Sequence, residues 1–163
     1  MRRAVPVALG LAVLVVLDQI TKLWTQASLP FGEAVPVLPV FSLFHTHNTG
    51  VAFSMLDGAG PWPLIALTVA ISGFIVWLWW RTPPGRWLSR LGFALVLAGA
   101  VGNLIDRVRL GYVIDFALVH TPSFSWTFAV FNLADAFITV GAIAIIADEL
   151  FGSRLGSTPK ETP

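Results

Sequence analysis

The sequence predicts an all-α polytopic membrane protein with four transmembrane helices and a small β-rich segment on the outer side of the membrane. Hydrophobic residues make up 56% of the 163 residues and charged residues 12%, about half of their usual share in soluble domains. Four apolar runs are long enough to cross a bilayer, which takes roughly 20 helical residues. Six of the seven Trp residues lie near the ends of these runs, as an interfacial aromatic belt requires.

The apolar runs define one membrane domain, residues 1–152, and we expect a flexible cytoplasmic tail over residues 153–163. The first run follows Arg2 and Arg3 and resembles a signal peptide. No small-x-small cleavage site follows it directly, however, and three more apolar runs lie downstream. We therefore interpret it as the first transmembrane helix. The helices are expected at about residues 4–26, 62–80, 87–107 and 128–150.

The basic residues predict the orientation of the chain in the membrane. In a four-helix topology, seven Lys and Arg residues lie on one side and only Arg107 and Arg109 lie on the other. Because basic residues favour the cytoplasmic side, both termini are expected in the cytoplasm. The seven residues on that side are Arg2, Arg3, Arg81, Arg86, Arg90, Arg154 and Lys160.

The first outer loop is expected to differ from the basic inner loop. Residues 27–61 contain no Lys or Arg, and the stretch VPVLPVFSLF (35–44) has the β-branched and aromatic composition of short strands. We therefore predict a small β-rich cradle on the outer membrane surface. A second outer loop is expected over residues 108–127.

Two aspartates lie where the third and fourth helices meet the outer side. Asp115 follows the third helix, and Asp135 lies about one turn inside the fourth, where a charge in hydrocarbon costs ~2.5–3.5 kcal/mol. If the two carboxylates meet, they share a proton and their pKa values separate. One then acts as general base on a water molecule, while its protonated partner hydrogen-bonds the carbonyl under attack. This chemistry needs no metal ion, cofactor or covalent intermediate.

Other polar residues in the apolar runs have structural interpretations. Asp18 and Lys22 are four residues apart, so they share a helix face and can form an ion pair that braces the bundle. Asn103 and Arg107 lie beside a stripe of small residues, and by themselves they indicate interhelical hydrogen bonding and snorkelling to the interface. Asn132 lies one turn outside the aspartate of the fourth helix, on the same face.

Several other functions are less well supported. The sequence contains no Cys, which excludes disulfides and cysteine nucleophiles. A net charge of +1 without a basic cluster gives no case for nucleic-acid binding. A metal site from His45, His47 and Asp57 lacks the usual ligand spacing. Ser54 is not surrounded by the G-x-S-x-G elbow of serine hydrolases.

A small four-helix transporter is the alternative from another class of protein, because acids in a membrane can also relay protons. Composition and topology alone support a transporter and an enzyme with two catalytic acids about equally. The polar residues cluster at the outer ends of the third and fourth helices, however, whereas transporter sites lie at the midplane, and no inverted repeat is visible. A purely structural role in the membrane would not explain why two acidic residues lie near the same membrane surface.

Five stretches together carry a resemblance to a known family. They are DQITK (18–22), NTGVAF (48–53), GNLIDR (102–107), GYVIDF (111–116) and FNLAD (131–135). In their order and spacing, the chain resembles the bacterial lipoprotein signal peptidases, also called signal peptidase II, from residue 1 to about residue 150. Val51, where the family often has Ala, is a small departure that removes no functional group.

The resemblance implies an intramembrane aspartic endopeptidase of the bacterial cytoplasmic membrane. Such an enzyme removes signal peptides from diacylglyceryl-modified prolipoproteins by cleaving before the lipidated cysteine, without a cofactor or metal. Its catalytic dyad maps onto Asp115 and Asp135. We expect a monomer that contacts the lipidated substrate and membrane lipid, with its active site near the outer leaflet. The resemblance also implies substrate contacts by Asn48, Gly50, Ala52, Asn103, Arg107 and Asn132, and structural support by Asp18, Lys22 and Asp106.

Overall fold

A computed structural model of the protein describes residues 4–50 and 60–155. Ala52 and the expected tail after residue 155 lie outside the described residues. The described residues form four helices and one three-stranded sheet, so the predicted combination of helices with a small sheet is confirmed. The elements are α1 (Ala4–Ser28), β1 (Ala34–Leu38), β2 (Phe41–Asn48), α2 (Trp62–Arg81), α3 (Trp87–Leu110), β3 (Val113–Val119) and α4 (Leu133–Leu155).

Three of the helices have the length and composition of membrane spans. They are Val7–Ser28 within α1, the whole of α2 and the whole of α3, with mean hydropathies of 1.7, 1.9 and 1.7. Their outward faces carry large apolar side chains, such as Leu9, Phe74 and Trp80, that are at least half exposed. Such faces are stable against lipid rather than water. A fourth crossing by α4 stays a prediction.

The fourth helix begins at Leu133, five residues later than the apolar run predicts. The residues before it are extended and pair with β3: the N–H of Phe128 donates to Val119, and Phe131 and Ala117 exchange two backbone hydrogen bonds of 2.8 and 3.0 Å. Asn132 then caps the helix, because its side-chain oxygen accepts the N–H of Asp135 at 3.0 Å.

The sheet is antiparallel, in the order β1-β2-β3, and its third strand lies in the second outer loop. Gly111 ends α3 with a φ of +83°, a left-handed conformation that glycine adopts without strain. The chain therefore turns back sharply, and β3 runs beside β2 with Asp115 opposite Thr46. This return brings the aspartate of β3 beside the C-terminal end of α3 and the first turn of α4.

α3 is the central helix and packs against α1, α2 and α4. Glycines make its contact with α4 unusually close. A Cβ on Gly92 would lie 2.6 Å from the carbonyl oxygen of Gly141, and a Cβ on Gly99 would overlap the carbonyl of Ala134. The two helix backbones therefore touch directly, as small residues permit in membrane helices.

Gly99→Ala tests this contact. The added methyl group has no space against Ala134, so we expect the free energy of unfolding to fall by about 1–3 kcal/mol. The matched control is Gly73→Ala on α2, where a Cβ meets no atom within 4 Å. Thermal unfolding in detergent should show a lower Tm for the first variant and an unchanged or higher Tm for the control. Equal Tm values would contradict the backbone contact.

Candidate active site

Asp115 of β3 and Asp135 of α4 are both hydrogen-bonded to Asn132. The Nδ2 group of Asn132 donates to Oδ1 of Asp115 at 2.7 Å. The backbone N–H of Asn132 donates to Oδ2 of Asp135 at 3.2 Å, so the same residue holds both carboxylates. Asp115 is 1% exposed, whereas Asp135 is half-buried. The two acids therefore share a site that solvent reaches from the side of α4.

The end of β2 supplies a second donor to this site. Nδ2 of Asn48 donates to Oδ2 of Asp115 at 2.9 Å, and its own Oδ1 accepts the backbone N–H of Gly50 at 2.9 Å. Gly50 has a φ of +82°, and a Cβ there would lie 2.5 Å from Cδ1 of Leu64. Glycine is required at this position for both reasons. The motif continues with Ala52, which lies outside the described residues.

Asn103 of α3 reaches the other aspartate. Its Nδ2 group donates to Oδ1 of Asp135 at 2.8 Å. Its Oδ1 accepts from Nζ of Lys22 at 2.8 Å and from Nδ2 of Asn132 at 3.1 Å. The amide thus connects the carboxylate pair to a group of charges beneath it.

That group is the charge cluster, defined as Asp18, Lys22 and Asp106. The ammonium group of Lys22 lies 2.9 Å from each carboxylate, and all three side chains are at most 2% exposed. The Asp18–Lys22 pair has the spacing that the sequence predicts; the link to Asp106 is an addition. Buried ions at such distances hold their elements together, because loss of the cation would leave two carboxylates buried without a partner.

The charge cluster also anchors the two segments that carry the acids. Oδ1 of Asp18 accepts the backbone N–H of Ala134 in the first turn of α4 at 2.9 Å. Oδ2 of Asp106 accepts the N–H of Ile114 at 3.2 Å, one residue before the aspartate of β3. The backbone on each side of the site is therefore tied to the same buried charges.

Gln19 also binds the charge cluster, a contact that was not predicted from the sequence. Its Nε2 group donates to Oδ1 of Asp106 at 3.0 Å and to the carbonyl of Gly102 at 3.2 Å. It lies three residues before Lys22, so helical spacing alone places the two on neighbouring positions. A polar Gln in an otherwise apolar helix, three residues before a buried Lys, could therefore have indicated this contact from the sequence.

Arg107 lies at the edge of the site and is half-buried. One guanidinium nitrogen, Nη1, makes a long contact of 3.4 Å to the carbonyl of Asn103. Nε is buried and has no hydrogen-bond partner among residues 4–50 and 60–155. Most of the donors of this side chain are therefore not used by the described residues.

The histidines considered as metal ligands lie in an aromatic group instead. His47 stacks on Tyr112 with ring centroids 3.7 Å apart, and Phe31 lies 4.6 Å from His47 and 5.2 Å from His45. Burial lowers the pKa of the His47 imidazole, and the neighbouring His45 lowers it further. Asp57, the third residue of that hypothesis, lies outside the described residues.

The surroundings of the buried acid make it easier to protonate than an ordinary aspartate. The pKa of Asp115 is raised to about 6, mainly because burial disfavours its charged form. Hydrogen bonds from Asn48 and Asn132 oppose this shift, and the charge of Asp135 adds to it. A carboxyl group with a pKa this close to neutral can both hold and release a proton, which is the property that general acid–base catalysis requires.

The fold and the site define a polytopic membrane protein with a carboxylate pair at one end of its helices. Residues 11–151 match the family model described as signal peptidase (SPase) II. The chain belongs to the signal peptidase II family, a family of membrane-embedded bacterial peptidases.

Relatives and solved structures agree with this family. The chain is 53% identical to a lipoprotein signal peptidase of Sinorhizobium fredii over 152 residues, covering 93% of this chain and 90% of that one. It is 50% identical to a lipoprotein signal peptidase of Brucella ovis over 154 residues, covering 94% and 95%. Two solved bacterial membrane enzymes, at 2.3 and 1.9 Å resolution, match with TM-scores of 0.80 and 0.77. Their sequence identities are 27% and 29%, with at least 94% of each chain covered.

Asp18→Ala tests the structural importance of the charge cluster. The change removes one of the two carboxylates bound to Lys22 and leaves the N–H of Ala134 without its acceptor, so the free energy of unfolding should fall by about 1–3 kcal/mol. Glu149→Gln is the control, because that side chain is 72% exposed and its surface ion pair contributes little. Thermal unfolding in detergent measures both. An Asp18→Ala protein with the Tm of the control would show that the cluster does not stabilise the fold.

Proposed function

We propose that this protein removes signal peptides from diacylglyceryl-modified prolipoproteins, cleaving before the lipidated cysteine by an aspartic mechanism. Asp115 and Asp135 are the catalytic pair. The observation that carries the proposal is the hydrogen bonding of Asn132 to both carboxylates, at 2.7 and 3.2 Å. In a member of a peptidase family, two paired acids can activate a water molecule for hydrolysis of a peptide bond. The names of the Sinorhizobium and Brucella relatives support the class of substrate.

The proposed reaction is hydrolysis of one peptide bond by a water molecule held between the two acids. The ionised carboxylate takes a proton from the water, whose oxygen attacks the scissile carbonyl carbon. The protonated carboxyl donates to the carbonyl oxygen, so a tetrahedral diol forms without a free oxyanion. When the C–N bond breaks, the protonated acid gives its proton to the leaving nitrogen and the other carboxylate takes a proton from a diol hydroxyl, so the product carboxyl group forms and the pair again holds a single proton.

Four polar side chains around the pair act on the substrate or on the acids. Asn48 and Asn132 hold Asp115 through the hydrogen bonds of 2.9 and 2.7 Å, and Asn103 holds Asp135 at 2.8 Å. Arg107 binds substrate carbonyls, because Nε and most of its other donors have no partner among the described residues. Gly50 and Ala52 belong to the NTGVAF motif and contact the substrate peptide in this proposal.

The proposed orientation has both termini in the cytoplasm, four membrane crossings and the active site near the outer leaflet. The α2–α3 connection carries Arg86, which pairs with Asp148 and Glu149 of α4 at 2.8 and 2.7 Å, far along the chain from the acid pair. The basic connection and the carboxylate pair thus mark opposite ends of α4. A substrate anchored in the outer leaflet by its lipid reaches such a site sideways. The enzyme acts as a monomer in this proposal.

Asp115→Asn and Asp135→Asn should each reduce cleavage by at least about 1,000-fold, because neither variant can share one proton between two carboxylates. The measurement is a gel-shift assay with purified enzyme and a diacylglyceryl-modified prolipoprotein. Asp148→Asn is the matched control at the other end of α4 and should cleave at the wild-type rate. A precursor with Ser in place of the lipidated cysteine tests the substrate class. Cleavage by either site variant at the wild-type rate would refute the dyad.

Asn48→Ala should move the pH dependence of cleavage. Asn48 stabilises the ionised form of Asp115, so its loss raises the pKa of that acid further above 6. The limb of the pH–rate profile that reports this acid should shift to higher pH by about one pH unit. Ser42→Ala is the control on the same strand, since Ser42 bonds His120 instead. An Asn48→Ala enzyme that still cleaves and keeps the wild-type limb would contradict this assignment.

A further inference from the structure

The ammonium group of Lys22 has a complete set of three acceptors. They are Oδ2 of Asp18 and Oδ2 of Asp106, both at 2.9 Å, and Oδ1 of Asn103 at 2.8 Å. An ammonium group has three donors and no acceptor, so each donor has one partner. At 1% exposure, Lys22 has no access to water as a substitute.

This arrangement leaves the amide of Asn103 only one satisfied orientation. As it stands, the oxygen faces Lys22 and the NH2 group donates to Oδ1 of Asp135 at 2.8 Å. A flipped amide would place NH2 against the ammonium group and its oxygen against the carboxylate, so both contacts would become repulsive. Asn132 also donates to the same oxygen, but it is neutral and lies at 3.1 Å. The charged contact is the stronger of the two.

We infer that Lys22 is a positioning residue for catalysis, which fixes the Asn103 amide so that Asp135 receives an N–H donor rather than an oxygen. Lys22 thereby acts on the reacting carboxylate through one intervening side chain, in addition to its part in holding the helices together. This inference rests on the proposed function of the carboxylate pair. It gives Lys22 an effect on turnover that a merely structural ion pair does not have.

Asn103→Asp tests the orientation directly. The new side chain keeps an oxygen for Lys22, but it also presents an oxygen to Asp135, as a flipped amide would. We expect kcat to fall by about 100-fold in a protein that remains folded, because the charged acceptor loses its donor. A kcat within threefold of wild type would overturn the inference, since the direction of the amide would then have no effect.

A combined variant tests the role of Lys22. Lys22→Met with Asp18→Asn and Asp106→Asn removes all three charges together and keeps oxygens for the backbone N–H groups of Ala134 and Ile114. We expect kcat to fall at least 10-fold, with KM within about twofold of wild type. In an Asn103→Ala background the same three changes should cost less than twofold, because the side chain through which Lys22 acts is gone. Wild-type kcat, or a loss that multiplies with that of Asn103→Ala, would overturn the inference.

Folding is followed for every variant by thermal unfolding in detergent. If the triple variant does not fold, Lys22→Leu with the same two Asn changes replaces it under the same expectations, since it also leaves no buried charge without a partner. Asp148→Asn breaks a distant ion pair and should change Tm without changing kcat. The two proposals fail differently. Cleavage by Asp135→Asn refutes the dyad, whereas an inactive Asp135→Asn beside an active Asn103→Asp refutes only the role of Lys22.

Discussion

Three oxygen atoms surround the buried ammonium group of Lys22, and they belong to side chains of two different helices. Asp18 is on the same helix, while Asn103 and Asp106 are on α3, so the contacts of 2.8 to 2.9 Å join α1 to α3. The two carboxylates extend the connection to the first turn of α4 and to the start of β3. If this cation were lost, two carboxylates would remain in an apolar bundle, at a cost of several kcal/mol each. The alignment of four elements therefore depends on one amino group.

Asparagine side chains transmit this alignment to the acids. An amide offers a donor and an acceptor on one planar group, so it can receive a hydrogen bond from one neighbour and donate to the next. Asn103 does this between the cation and the carboxylate of Asp135, and Asn132 does it between the backbone N–H of Asp135 and the carboxylate of Asp115. The buried charge of Lys22 thus determines which way the amide hydrogen bonds of the site point. A network in which every member is satisfied is rigid, because each rotation breaks two bonds at once.

Much of this architecture could be predicted from the sequence, and the rest depends on contacts that no local pattern encodes. Hydropathy predicts three helices that begin at 4, 62 and 87, as they do in the structure. The i,i+4 spacing predicts the contact between Asp18 and Lys22. The start of α4 could not be found in this way, because residues 128–131 are apolar but pair with β3. The second carboxylate beside Lys22 lies 84 residues further along the chain, beyond the reach of helical periodicity.

The direct contact between the backbones of α3 and α4 has a consequence for how the enzyme responds to its surroundings. Helices separated by long side chains can slide past each other as those side chains change rotamer. At Gly92 and Gly141 no side chain separates the two backbones, so this kind of sliding is not available there. If α4 crosses the bilayer together with α3, we expect the pair to tilt as one unit when the bilayer is thinner or thicker than the helices. The short span from Asn103 to Asp135 would then keep its geometry in bilayers of different lipid composition.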